Sequence, residues 1–143
     1  MEIAATATSF VEAPAKSSVC AGRILSGLAV LFLVFDGAMK AIKEPHVLAA
    51  SAELAFPLSS IVPIGITVLI CTLLYVIPRT SILGAILLTG YLGGAVAAQV
   101  RILHPAFDCS FPIIFGVLVW LGLFLREPRL RALVPLRTSI TAR

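Results

Sequence analysis

The chain has 143 residues, 59% apolar and only 13% charged, and its mean hydropathy is +1.07; in a soluble globular domain about a quarter of the residues are charged. At about 1.5 Å rise per residue the length supplies one domain of four membrane spans of about 20 residues with short connections, and leaves nothing over for a soluble catalytic domain. Eleven Lys and Arg against seven Asp and Glu give a formal charge of +4, whose distribution along the chain carries more information than its sum.

Residues 1–19 are small and polar, with two Glu and one Lys. They lack a basic start followed by an apolar core, so the segment is expected to be a mobile tail and not a cleaved signal peptide. The first span is predicted over 22–42, GRILSGLAVLFLVFDGAMKAI, with Glu44 and Pro45 as its stop. Asp36 lies about six residues, or roughly 9 Å, short of the end of that helix. An ionised carboxylate at such depth requires a partner, water or a raised pKa. Lys40 is one turn further along on the same face, with the acid on the N-terminal side, as an i,i+4 pair prefers. Gly22, Ser26, Ala29, Leu33, Asp36 and Lys40 recur at three- and four-residue steps. This small and polar stripe is expected to face the other helices, with the flanking Leu, Phe and Val toward lipid.

The next segment, 43–57, holds Glu44, His46 and Glu53 and reads as an aqueous or interfacial loop, in which VLAASAEL suits a short surface helix. The second span falls within 58–77, with Pro63 in its first turns and Pro78 as terminator. Only residues 78–80 separate it from the third span, 81–101, so the two form an antiparallel hairpin. Tyr75 and Arg79 near this turn are expected to be aromatic and basic interface anchors. On the third span Gly90-x-x-x-Gly94 continues through Ala97 to Arg101, beside Gly93, and is expected to pack inside the bundle because small residues let helices approach. Gln99 lies about 160 degrees around the helix from Arg101. The fourth span has its apolar core at 111–125 and reaches spanning length if it begins near Ala106.

Lys16, Arg23, Arg79, Arg126, Arg129, Arg131, Arg137 and Arg143 fall on one side of this arrangement, and Lys40, Lys43 and Arg101 on or near the other. Eight against three places both termini and the Arg79 turn in the cytoplasm, and the membrane is expected to be a bacterial cytoplasmic membrane. The expected organisation is a cytoplasmic tail (1–19), a four-helix membrane bundle (20–127) and a basic cytoplasmic tail (128–143), whose Leu and Val suit the interface while its Arg meet anionic headgroups. That bias explains the positive charge without a nucleic-acid partner. Cys20, Cys71 and Cys109 have no close spacing, and His46 and His104 belong to no metal motif, so neither a metal site nor a haem is predicted. His104 and Asp108 suit acid–base chemistry but have no accompanying nucleophile.

Asp36, Lys40 and Arg101 all fall at the outer end of the bundle. As a structural cluster they compensate one another and fix helix register. As a functional cluster they line an outward-opening pocket for a quinone, a lipid headgroup or another anionic or carbonyl-bearing ligand, with Gln99 nearby. In either case Asp36 and Arg101 are expected to meet.

Three blocks resemble the DoxX-like family of small four-helix membrane proteins: residues 22–42, quoted above, LLYVIPRTSILGAILLTGYLGGAVAAQVRI at 73–102, and FPIIFGVLVWLGLFLREPRLRALVPLR at 111–137. PRT followed by GYLGGAVA is the most specific part. The resemblance implies the four-span fold and an association with membrane redox complexes, as an accessory subunit or a quinone- or lipid-binding component, without naming an active site. A nonenzymatic role in assembly, lipid binding or small-molecule passage is the alternative. Related sequences often carry a His before a Val-Arg pair, where this chain reads Ala98-Gln99-Val100-Arg101, so no His role carries over. Quinone is the one cofactor implied. Partners would be membrane lipids, a membrane oxidoreductase or further copies of the chain.

Overall fold

The computed structural model describes residues 16–133. They form six helices in chain order: α1 (Lys16–Ala41), α2 (Pro45–Glu53), α3 (Leu58–Val76), α4 (Ser81–Arg101), α5 (Ala106–Arg126) and α6 (Pro128–Leu133). Four of them, α1, α3, α4 and α5, are long and apolar enough to cross a membrane. The expected loop helix is α2. Helix α1 begins at Lys16, six residues before the predicted start of the span at Gly22, because KSSVCA contains no breaker and continues the helical turn. Four residues expected in the N-terminal tail are therefore helical; the remainder of that tail, and residues 134–143 of the basic C-terminal one, lie outside the described residues.

The spanning helices run alternately up and down. Helix α1 packs on α3 and α5, α4 packs on the same two, and α1 and α4, like α3 and α5, stand diagonally without close backbone contact. Ala29 and Leu33 of α1, Val68 and Tyr75 of α3, Ala85 and Leu88 of α4 and Val119 and Leu123 of α5 fill the axis. Outward-facing Leu31, Phe35, Ile70, Leu73, Ile86 and Val117 are exposed, leaving the apolar surface that lipid covers. The α1 stripe is turned inward: Gly22, Ser26, Ala29 and Leu33 are all buried.

Close helix approach occurs at glycines other than the predicted pair. A Cβ on Gly122 would stand 2.5 Å from Ser26 Oγ and 2.9 Å from Ser26 N, and one on Gly22 would stand 2.8 Å from Leu125 Cβ. Gly65 likewise meets Gly37 O at 2.9 Å, and Gly84 lies against the backbone of Tyr75. Gly90 and Gly94, expected inside, are exposed, and a Cβ on either would meet nothing within 4 Å. The inward face of α4 is instead formed by Ser81, Gly84, Ala85, Leu88, Leu92 and Ala98. Burying the leucines excludes the glycine line, which lies well around the helix from Leu88 and Leu92.

The three connections at the α2 end share one design. Lys43, Ala55 and Leu103 each take a left-handed φ of 56°. The following residue then bonds back across the helix end: Glu44 N to Met39 O, Phe56 N to Ser51 O and His104 N to Gln99 O. These are Schellman closures with a non-glycine at the left-handed position, and each is followed by a proline, Pro45 as the first residue of α2 and Pro57 and Pro105 as the N-caps of α3 and α5. Glu44 also caps α2 by accepting from His46 N at 2.8 Å and Val47 N at 3.2 Å. At the opposite end, Thr80 Oγ1 donates to Leu74 O at 2.8 Å and holds the three-residue turn.

Candidate functional site

Each diagonal of the bundle is bridged by one tyrosine. Tyr75, fully buried, donates to Val119 O on α5 at 2.8 Å and lies 2.9 Å from Ser26 Oγ on α1. A buried phenol needs such partners, and the lock they form corrects the expectation that Tyr75 is an interface anchor. Its ring also lies beneath the Arg126 guanidinium, 4.7 Å from the centroid, while Arg126 Nη2 donates to Tyr75 O at 3.0 Å. Arg131 treats the last turn of α5 similarly, donating to Phe124 O and Leu125 O. Two arginines read as topology signals thus also satisfy C-terminal helix carbonyls. Arg79 is exposed on its turn.

The second bridge is Tyr91 on α4, whose hydroxyl donates to Asp36 Oδ2 at 2.8 Å. Lys40 donates to the other carboxylate oxygen, Oδ1. Asp36 is thereby satisfied on both oxygens, by one neutral donor and one cation. Sequence reasoning missed Tyr91, although a phenol at mid-depth of an apolar span needs a partner by the same argument that singled out Asp36. Arg101 does not meet Asp36. It is exposed, and its Nη2 donates to Leu54 O at 2.9 Å, joining the end of α4 to the link between α2 and α3. The Arg101 side of α4 points over α3, away from the diagonal along which Tyr91 reaches α1.

These groups surround a cavity of about 600 Å³ between the four spans, toward the α2 end. Asp36, Lys40, Gln99, Gly90 and Gly94 line it, so most of the residues singled out from the sequence share one space; Arg101 does not. Gln99 Oε1 is buried without a hydrogen-bond partner. Phe32 and Phe115 stack with centroids 3.8 Å apart, and Phe111 leans on both, which gives the cavity an aromatic wall. Asp108 reaches the same cavity, with its Oδ2 3.2 Å from His104 Nδ1. Beyond the cavity the axis is closed by Leu33, Leu88, Val119 and Tyr75, none more than 1% exposed.

Chemically, the arrangement can hold a neutral molecule. Asp36 and Lys40 cancel in charge, and the ammonium has three donors of which the carboxylate takes one. Volume, mostly apolar walls and a few convergent polar groups are those of a small-molecule site. Among the described residues no cluster of His, Cys, Asp or Glu is arranged to hold a metal ion.

Fold and site together define an integral membrane four-helix bundle with a polar-headed internal cavity. The family model of the DoxX-like family matches residues 24–122, more than two thirds of the chain, and the protein belongs to that family. No curated protein and no solved structure matches it significantly.

Proposed function

We propose that this DoxX-like protein binds a planar, carbonyl-bearing amphiphile of the quinone class in the cavity, and that it serves a membrane redox system as an accessory, ligand-binding component. The observation that carries the reading is the neutral Asp36–Lys40–Tyr91 cluster at the head of a cavity of about 600 Å³ with a phenylalanine wall. A quinone ring stacks on such a wall, and its carbonyl accepts from the Lys40 ammonium. The eight-to-three division of basic residues supports an orientation with both termini and the Arg79 turn in the cytoplasm and the cavity toward the outer face.

The nonenzymatic alternative, lipid binding or assembly, draws support from a separate groove of about 620 Å³ between α4 and α5, edged by Val96, Ile113, Val117 and Trp120, which suits an acyl chain. The closed axis beneath the cavity weighs against small-molecule passage. Mass spectrometry of lipids and quinones retained after gentle purification tests the main reading. Wild type should retain quinone, and Lys40→Met should retain about tenfold less, the loss of one charge-assisted hydrogen bond. Equal quinone content in both, or none in either, refutes it.

A further inference from the structure

We infer that the cavity is loaded sideways from the membrane interior, through a gap between α3 and α4 edged by Ile64, Gly90 and Gly94, and that the ligand's apolar chain lies in this gap. The inference rests on the reading of the cavity as a binding site and adds the route and the second half of the ligand.

Gly90 and Gly94 have two properties together: they line the cavity, and they are exposed with no atom within 4 Å of an added Cβ. One helix surface belongs to both an internal space and the exterior only where the wall between them is open. Ile61 and Ile64 line the same cavity from α3. The gap is bounded along the hairpin. Toward the turn, Gly84 seats α4 directly on the Tyr75 backbone of α3. Toward the α2 end, the Arg101 to Leu54 hydrogen bond ties the end of α4 to the link that precedes α3.

The aqueous end is covered. Ser51, Leu54 and Phe56 line the cavity from the α2 side, and Ser51 is buried. Leu87 of α4, next to the gap, is an exposed apolar residue within a spanning helix, where acyl chains are its neighbours. A molecule already dissolved in lipid therefore reaches the Asp36–Lys40–Tyr91 head group without crossing water.

The chain lying between Gly90 and Gly94 must be slender, an alkyl or prenyl tail. A head bearing an O–H or N–H as well as a carbonyl would also supply the donor that Gln99 Oε1 lacks. The ligand class is then a tailed amphiphile with a small, flat, hydrogen-bonding head.

The full chain in lipid nanodiscs, offered a decyl-substituted benzoquinone and the same ring without a chain, tests this. Wild type should prefer the tailed probe by about tenfold. Gly90→Leu/Gly94→Leu, at positions where an added Cβ meets nothing within 4 Å, narrows the gap and should slow loading of the tailed probe about tenfold or more, with unchanged thermal stability. Ile64→Trp narrows the gap from the opposite edge and should do the same, which covers the case of a poorly folded glycine variant. Wild-type loading rates in both gap variants overturn the lateral route while leaving the binding site intact. A wild type that takes up neither probe refutes the binding site itself, and the route with it.

Discussion

Adding a single methyl at Gly122 and at Gly94 should have opposite consequences. At Gly122 the new Cβ would stand 2.5 Å from Ser26 Oγ and 2.9 Å from Ser26 N. Ordinary contact for such a carbon begins near 3.4 Å, and the second atom is backbone, so α5 must move off α1 by several tenths of an ångström. That movement also pulls on the Tyr75 hydroxyl, which is shared between Ser26 on α1 and Val119 on α5. Overpacking of a rigid contact costs about 1–3 kcal/mol, and weakening an interhelical hydrogen bond in a membrane protein adds about 0.6 kcal/mol. The gain in helix propensity from Gly to Ala returns at most about 1 kcal/mol. Gly122→Ala should therefore lose about 1–2 kcal/mol net. At Gly94 only the propensity gain operates, so Gly94→Ala should be neutral or stabilising by up to about 1 kcal/mol. Reversible unfolding by SDS in mixed micelles, followed by Trp120 fluorescence, measures both. If Gly122→Ala is as stable as wild type, or Gly94→Ala is the more damaging change, the helix contacts described above are wrong.

Tyr75→Phe should cost about 1–2 kcal/mol, since it removes a hydroxyl with partners on two helices; unchanged unfolding in the same micelles would contradict the diagonal lock. In a double-mutant cycle, Asp36→Asn and Tyr91→Phe should couple by about 0.6–1.7 kcal/mol, whereas Asp36→Asn and Arg101→Gln should be additive within about 0.5 kcal/mol. Coupling in the second cycle and additivity in the first would reverse the assignment of partners. Leu103→Gly, at a side chain 90% exposed with φ 56°, should be neutral or stabilising by up to about 1 kcal/mol, as relief of left-handed strain requires. A loss above that size by thermal unfolding is the opposing result. Membrane-impermeant labelling of single cysteines should modify a residue placed at position 46 from outside the cell and one at position 79 only after permeabilisation, and the reverse pattern would invert the proposed orientation.

The sequence alone determined the parts of this protein that depend on chain-local physics. Four apolar runs of spanning length, the prolines that delimit them and the three-residue link between α3 and α4 are local quantities, and the helix limits at Leu58, Ser81, Arg101 and Ala106 were legible from them. The α1 stripe was legible too, because a run of small and polar residues on one side of an otherwise bulky helix distinguishes inside from outside. On α4 no such contrast exists. Leucine is as well solvated by lipid as by protein, so hydropathy does not say whether the Leu88 and Leu92 face or the Gly90 and Gly94 face turns inward. The tertiary structure decided that leucines fill the axis and that the glycines line a cavity. It decided in the same way that Asp36 pairs with Tyr91 across a diagonal and that Arg101 turns to the Leu54 carbonyl. Placing two charges at one end of a bundle is a matter of depth, which the sequence carries; bringing them together depends on helix rotation and on which neighbours each face meets, which only packing sets.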